Sequence, residues 1–481
     1  MNFTSPLYLY FLVLLFLFFR LFSHFKRADF LVEGLLLLAS YYFYSAWNPN
    51  YLFLILIPTV TDFLLGKLIF ESSHLRKKIY LFLSICLDLG ILGFFKYANF
   101  IIQTGNMLNI GLNSPLLDVL LPAGISFYTF QSMSYTIDIY RNNIRPEKSI
   151  FRYALYLSFF PQLVAGPIVV ARELLPKLSN LTHIQCPAYT KIFWLLLLGF
   201  TKKAIIADRI APSIDLLYAY PDSFTAQDWA LGALGYSVQI YCDFSGYTDI
   251  ARGSALLFGV ELPENFLFPY LSSSFSEFWR RWHITLSTWL REYLYISLGG
   301  NRDGVIRTLV NLLLTMLLGG LWHGASWNFI IWGAGHGLLL SIERIFAKWG
   351  FWTFPVGSTG GFYQKMRFLT LFSLRRTLVF LCTTLLWVLF RSKDLSVSLL
   401  VYSKIFSGWN GFHVGYSDRI FLISNILLVF MGNIIGFRYA DRISAFIETE
   451  LSWKIGIFFI VWAYFVLSLS RETRPFLYFV F

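Results

Sequence analysis

The sequence has few charged side chains and few cysteines. Charged residues make up 14% of its 481 residues, whereas a soluble domain carries about 25%. Because 57% of the residues are hydrophobic, the composition excludes an ordinary soluble protein and predicts a polytopic membrane protein. The four cysteines, at positions 86, 186, 242 and 382, show no CxxC or Cys/His ligand spacing. Neither a metal site nor a disulfide framework is therefore expected.

The sequence also lacks the motifs of several enzyme classes. It contains no P-loop, no GxSxG nucleophile elbow, no zinc signature and no fixed-period repeat. Its formal net charge of +12 could indicate nucleic-acid binding. In a membrane protein, however, lysine and arginine in the loops fix the orientation against anionic lipid, and we favour that interpretation.

Apolar runs long enough to cross a membrane recur along the whole chain. They cover residues 7–19, 51–70, 79–95, 195–200 with its flanks, 309–318, 378–390, 420–435 and 455–469. At about 20 residues per crossing, they predict an all-α protein with roughly 11 membrane helices, including re-entrant or interfacial ones. We expect one integral-membrane domain over residues 1–481, with N-terminal helices (1–150), a catalytic core (151–345) and C-terminal helices (346–481).

Basic and nearly neutral loops alternate within the first 150 residues. Lysine and arginine cluster near positions 26, 76 and 145, but hardly occur in 47–50 and 96–115. The positive-inside rule then places the N-terminus outside and the three basic loops in the cytoplasm. The first apolar run has no basic segment before it and no cleavage site after it, so we expect a retained first helix.

The alternation fails after residue 150, where polar and helix-breaking residues enter apolar sequence. Pro161 and Pro167 break the helical pattern twice, and broken helices at membrane depth are buried or line a wet cavity. We therefore expect a recessed pocket here. Further on, Asp243 and Asp249 are either functional acids or structural partners of Arg252.

Two histidines stand in segments that a simple membrane helix does not explain. His283 ends the string FWRRWH, and His323 lies in GGLWHGASWN. A continuous helix over 319–332 would place His323 and Trp327 on one face, beside glycines that let a ligand or another backbone approach closely.

A helix through residue 283 would likewise align Trp279, His283, Ser287 and Arg291. A lone histidine in an apolar segment is more often a packing residue, but two beside tryptophans and glycines favour function. Desolvation keeps such an imidazole neutral and able to act as a general base. His336, thirteen residues beyond His323, would face the far side of a straight helix, and we expect it to be structural.

Six strings in this order resemble the membrane-bound O-acyltransferase (MBOAT) family, specifically its bacterial branch of alginate O-acetylation proteins. They are PAGISFYTFQ (122–131), FPQLVAGP (160–167), DFSGYTDIA (243–251), FWRRWH (278–283), LGGNR (298–302) and GLWHG (320–324). The chain departs from the usual pattern at Thr285, Glu292 and Ser297. The resemblance implies membrane helices around a central funnel, with His323 as the catalytic histidine and His283 as the second active-site histidine.

The resemblance also implies the reaction, its substrates and its setting. An acetyl group would move from cytoplasmic acetyl-CoA, or another acyl thioester, to a hydroxyl group of an extracytoplasmic polysaccharide. The protein would lie in the bacterial inner membrane among its lipids and work with a separate extracytoplasmic acetyltransferase. No permanently bound cofactor, metal or nucleic acid is expected.

In this reading His323 is the general base, and His283 orients the acyl group or stabilises the oxyanion. Arg280, Arg281 and Arg291 either bind the phosphates of coenzyme A or anchor the segment at the membrane interface.

Other functions remain open on the sequence alone. D-alanyl transfer, or acylation of a lipid or a protein, fits the same histidine pair. A polysaccharide exporter would explain the membrane helices, but exporters of this kind typically show internal repeats and paired charges at mid-membrane depth. A non-enzymatic envelope subunit would leave His283 and His323 without a role.

Overall fold

The computed structural model describes residues 3–25, 28–109, 114–181, 189–348, 362–469 and 474–477. Lys26, Arg27 and Cys186, and the connection at 349–361, lie outside this part of the chain. Within it the chain is helical and forms no strand, only an isolated bridge between Phe266 and Trp282. The all-α prediction is confirmed.

Six of the described helices are long and apolar enough to cross a membrane. They are Pro49–Glu71, His74–Met107, Gly304–His323, Trp327–Ala347, Thr370–Arg391 and Tyr416–Arg438, and shorter apolar helices cover Pro6–Phe22, Leu395–Ile405 and Trp453–Leu469. A multi-pass membrane protein is therefore confirmed. The total of about 11 crossings stays a prediction, as does the division into three regions.

The chain forms two compact units, and each unit is built from separate segments of the chain. The first unit comprises residues 1–204, 246–263 and 446–480. Its helices are α1 (Pro6–Phe22), α2 (Ala28–Ser45), α3 (Leu52–Glu71), α4 (His74–Leu92), α5 (Ala98–Met107), α6 (Ile125–Tyr140), α7 (Ile150–Ser158), α8 (Phe160–Leu163), α9 (Ala171–Leu178) and α10 (Tyr189–Phe200). The helix near the C-terminus, α21 (Trp453–Leu469), joins it.

The second unit comprises residues 205–245 and 264–445. It contains α11 (Asp208–Ala219), α13 (Phe275–Arg281), α14 (Ile284–Trp289), α15 (Gly304–His323), α16 (Trp327–Lys348), α17 (Phe362–Arg391), α18 (Leu395–Ile405) and α19 (Tyr416–Arg438). The long helix α12 (Ala226–Leu257) contributes to both units, as does α20 (Ala440–Ile447). Both predicted site histidines belong to the second unit.

The predicted helix breaks after residue 150 occur as expected in the first unit. Helix α7 ends at Ser158, α8 lasts one turn, and Pro167 lies in the non-helical stretch before α9. Residues 153–171 are all buried. Irregular backbone is tolerated at membrane depth when protein surrounds it; that the region lines a pocket stays a prediction.

Two buried acids of the first unit, Asp249 and Asp138, pair with bases. Asp249 forms ion pairs with Lys202 and with Arg252, the latter at 3.8 Å. Asp138 lies 3.7 Å from Arg172 and accepts a 2.9 Å hydrogen bond from Asn143. For Asp249 the ion pair with Arg252 favours the structural alternative over a functional one.

Candidate active site

His323 is the last residue of α15. Gly324 leaves the helix with φ −163° and ψ 150°, and α16 begins three residues later at Trp327. The prediction of one continuous helix over 319–332 is therefore wrong, and Trp327, at 47% exposure, does not share a helical face with His323. The side chain of Phe329 fills the space where a Cβ of Gly324 would lie, 2.1 Å away.

Glycines allow α15 and α16 to pack backbone against backbone. A Cβ on Gly320 would lie 2.2 Å from the carbonyl oxygen of Phe329, and one on Gly333 would lie 2.3 Å from that of Met316. The sequence left open whether a ligand or another backbone approaches these glycines. In the structure it is the backbone of the neighbouring helix.

This packing also corrects the placement of His336. Because residues 323 and 336 lie on two helices rather than one, they do not face opposite sides of a single helix. The Trp332 ring lies between them, with ring centroids 5.0 Å from His323 and 4.8 Å from His336. His336 is therefore next to the site.

His283 lies at a break between two short helices. Helix α13 ends at Arg281, Trp282 is extended, and His283 adopts the left-handed conformation (φ 43°, ψ 54°) before α14 begins. The expected face through Trp279, His283, Ser287 and Arg291 on one helix is therefore wrong. A non-glycine residue in this conformation costs about 1–3 kcal/mol and persists where its surroundings fix it, often at functional sites.

Asn265 fixes the orientation of the His283 ring. Its Oδ1 accepts hydrogen bonds from the backbone N–H and the hydroxyl of Thr285, at 3.1 and 3.0 Å. The same oxygen lies 3.2 Å from Nδ1 of His283. Since a backbone N–H can only donate, this atom is an acceptor and Nδ1 carries the proton. In the neutral ring Nε2 then bears a lone pair.

The ring of His283 is neutral. His283 is fully buried and lies outside the long apolar helices. Burial lowers its pKa to about 3, because desolvation disfavours the imidazolium form. At neutral pH Nε2 can accept a hydrogen bond and cannot donate one.

The two histidines face a common aromatic environment. Their ring centroids are 6.4 Å apart, and His323 is 4% exposed. Phe244 of α12 lies edge-on to His283 at 4.7 Å, Trp322 contacts both histidines, and Phe390 of α17 lies 5.4 Å from His323. The structure thus brings together the two residues that the sequence singled out.

The three arginines lie in more solvent-accessible or already paired positions. Arg280 is exposed, and the Arg291 side chain is 60% exposed beside Glu292. Arg281 forms a 2.8 Å ion pair with Glu277 and donates to the carbonyl oxygen of Leu267. Their phosphate-binding role stays a prediction, and the partners of Arg281 fit an anchoring role better.

Sequence reasoning missed Asn265, Trp332 and Phe390 as site residues. Asn265 is eighteen residues before its histidine partner, and Phe390 belongs to another helix, so no local spacing links them to the site. Their positions depend on tertiary packing alone.

Comparisons with known proteins identify the family of the chain. The model of the membrane-bound O-acyltransferase family matches residues 142–354, which include both histidines. The chain is 43% identical over 378 residues to a probable alginate O-acetylase AlgI of Pseudomonas syringae pv. tomato, covering 78% of this chain and 70% of that protein. The chain belongs to the membrane-bound O-acyltransferase family.

Other members of this family show similar coverage. A probable alginate O-acetylase AlgI of Pseudomonas aeruginosa is 42% identical, with 78% of this chain and 69% of that protein covered. A peptidoglycan O-acetyltransferase of Helicobacter pylori is 36% identical, with 85% and 80% covered. The MBOAT protein described here is therefore a membrane enzyme that transfers acyl groups to oxygen.

Proposed function

We propose that this enzyme moves an acetyl group from cytoplasmic acetyl-CoA to a hydroxyl group of an extracytoplasmic polysaccharide. The observation that carries the proposal is the buried pair of His283 and His323, with ring centroids 6.4 Å apart. The names of two groups of relatives, alginate O-acetylases and a peptidoglycan O-acetyltransferase, support acetyl as the group and a surface glycan as the acceptor.

In the proposed reaction His323 removes the proton of the acceptor hydroxyl. The hydroxyl oxygen adds to the thioester carbonyl carbon and forms the new C–O bond. The C–S bond then breaks, and the thiolate leaving group takes the proton from the imidazolium of His323. Atoms and charges balance without any further reactant.

His283 has a narrower role than the sequence allowed. An oxyanion is stabilised by hydrogen-bond donors, but Nε2 of His283 carries a lone pair because Asn265 holds the proton on Nδ1. We propose that His283 orients the acceptor by accepting a hydrogen bond from one of its hydroxyl groups. The oxyanion then requires other donors.

The setting of the reaction belongs to the same proposal. The enzyme would lie in the bacterial inner membrane, receive the thioester from the cytoplasm, and transfer the acetyl group to the acceptor hydroxyl on the far side, working with a separate extracytoplasmic acetyltransferase. The positive-inside pattern supports cytoplasmic access, since basic loops alternate with neutral ones.

The test compares the cell-surface polysaccharide of four strains by mass spectrometry and NMR. The strains carry the wild-type gene, a deletion, His323→Ala, or His24→Ala at equal expression. His24 is an exposed histidine and serves as the control. Positioned proton transfer contributes about 10²- to 10⁴-fold to a rate, so we expect O-acetyl groups to disappear in the deletion and His323→Ala strains only.

Two results would refute the proposal. Full acetylation in a well-expressed His323→Ala strain would exclude this histidine as the base. Surface polymers with unchanged O-acetyl content but altered D-alanyl or lipid acylation in the deletion strain would assign a different acyl group or acceptor.

A further inference from the structure

Three nitrogen-bearing rings form a buried cluster next to His323. The donor cluster consists of Trp279 on α13 with Trp332 and His336 on α16. The ring centroids are 5.8 Å apart for the two tryptophans, and His336 lies 5.0 Å from Trp279 and 4.8 Å from Trp332. The exposures are 8% for Trp279, 1% for Trp332 and 0% for His336.

The ring nitrogens of the donor cluster have no hydrogen-bond partner within the described part of the chain. Buried polar groups in proteins are normally paired. An indole N–H can only donate, and a neutral imidazole supplies one further donor. Three unpaired donors in a triangle of rings therefore indicate a bound group with acceptor atoms.

The surrounding contacts hold these rings in place. The ring of Phe278 lies parallel to His336 at 6.0 Å, with an interplanar angle of 1°. Glu343 on α16 accepts hydrogen bonds from the backbone N–H of Ser276 at the start of α13, at 3.2 and 3.3 Å. Both contacts join α13 to α16. Donors fixed in advance are what electrostatic stabilisation of a transition state requires.

The position of the donor cluster indicates which group it binds. The Trp332 ring contacts both His323 and His336, with ring centroids 5.0 and 4.8 Å away, so the donor cluster adjoins the histidine that we propose as the base. Building on the proposed acyl transfer, we propose that the donor cluster binds the carbonyl oxygen of the acyl thioester and stabilises the oxyanion formed on it. It supplies the donors that His283 cannot.

The electron movements are those of addition and elimination. When the hydroxyl oxygen bonds to the carbonyl carbon, the C=O π electrons move to the carbonyl oxygen, and the donor cluster stabilises this negative charge. When the charge returns to re-form the C=O bond, the C–S bond breaks. The proton held by His323 passes to the leaving thiolate.

The test removes single N–H groups while keeping an aromatic ring. Trp332→Phe and Trp279→Phe are compared with the wild type in membrane vesicles of the producing strain, by following thiol release from acetyl-CoA. Removal of one oxyanion donor typically lowers kcat about 10²- to 10³-fold. We expect a loss of this size in kcat for one or both variants, with KM for acetyl-CoA nearly unchanged.

The matched control is Trp229→Phe. Trp229 is equally buried in the second unit, but its indole N–H already donates to the carbonyl oxygen of Pro221. This variant is expected to keep wild-type kcat. His336→Gln retains an N–H donor whereas His336→Leu does not, so Gln is expected to preserve more of kcat than Leu.

The outcomes separate this inference from the proposed function. If wild-type vesicles release no thiol from acetyl-CoA above those of the deletion strain, the proposed function itself fails. If the wild type is active and both Trp→Phe variants keep its kcat, or lose activity only through KM or protein level, the donor cluster does not stabilise the oxyanion. Those nitrogens would then bind ordered water alone.

Discussion

At the scale of single residues, the candidate site depends on the side-chain amide of Asn265, which takes no direct part in the proposed acyl transfer. Asn265 determines which nitrogen of His283 carries the proton, because its Oδ1 is already committed as an acceptor to Thr285. Such outer contacts set the tautomer of a histidine, and with it what the ring can do.

Replacing Asn265 with leucine should therefore impair catalysis more than folding. Without this acceptor, the proton of the His283 ring is no longer held on Nδ1. It can then occupy Nε2, which could no longer accept a hydrogen bond from the substrate. We expect thiol release from acetyl-CoA to fall by about 10²-fold or more. Asn265→Asp should keep more activity than Asn265→Leu, since a carboxylate still accepts a hydrogen bond from Nδ1.

Thr285→Ser, which retains the hydroxyl, is the control. Equal activity of Asn265→Leu and wild type would show that the tautomer does not matter.

The sequence pointed to the two histidines to which we assign the chemistry, but not to the residues that position them. His283 and His323 stand out because polar rings in apolar segments are costly. Asn265, Trp332 and Phe390 come from separate segments and become neighbours only through packing. His336 was misplaced for the same reason, since its assignment assumed one straight helix.

At the scale of the helices, the approach of α15 to α16 positions His323. The apolar run at 309–318 predicted α15, but no such run covers α16, and the break at Gly324 was missed. The glycines were informative in a different way. They indicated that something would come close to the helix, but no spacing indicated whether this was a ligand or a second backbone.

Gly320→Ala should push the two helices apart. The added methyl group would lie 2.2 Å from the carbonyl oxygen of Phe329, a backbone atom that cannot rotate away. Overpacking of this kind costs about 1–3 kcal/mol, so we expect a lower apparent Tm in detergent and reduced acetyl transfer.

The control for Gly320→Ala is Gly432→Ala. Gly432 lies inside α19 with no atom within 4 Å of an added Cβ. Alanine is favoured over glycine in a helix by about 1 kcal/mol, so its Tm should stay the same or rise. If the two variants behave alike, close helix packing is not what Gly320 provides.

Asp228 ties the 408–415 loop to the start of α12. Its carboxylate accepts hydrogen bonds from the backbone N–H groups of Thr225, His413 and Val414. Burial alone would raise the pKa of Asp228, but these hydrogen bonds lower it below the usual value of 3.8. A carboxyl group whose pKa is lower in the folded state stabilises the fold above its unfolded pKa.

The stability supplied by Asp228 should therefore be lost as the pH falls below about 4. We expect the apparent Tm of Asp228→Asn to lie below that of the wild type at pH 7, and the difference to shrink toward pH 3. The exposed Asp222 provides the control Asp222→Asn, which should follow the wild type. A difference that stays constant from pH 7 to pH 3 would contradict this account.

At the scale of the whole molecule, composition was sufficient for the fold class. A chain that is 57% hydrophobic must satisfy its backbone internally to cross a membrane, and helices achieve this. The number of crossings could not be derived in the same way, because a short apolar helix such as α8 or α14 fits neither a full crossing nor a loop.

The orientation of the enzyme in the membrane decides from which side the thioester enters, and it can be measured directly. Helices α3 and α4 are joined by a tight turn, and Arg76, Lys77 and Lys78 lie in the first turns of α4. The positive-inside rule predicts that these cations lie on the cytoplasmic side, and that the uncharged turn before α3, at residues 47–50, faces outward. We expect a fluorescent-protein fusion after Lys78 to be fluorescent and a phosphatase fusion there to be inactive, with the reverse pattern for fusions after Asn48.

An active phosphatase after Lys78 would show that the topology is the inverse of the predicted one. It would also place the basic loops on the outside, leaving acetyl-CoA without the cytoplasmic access that the proposed reaction requires.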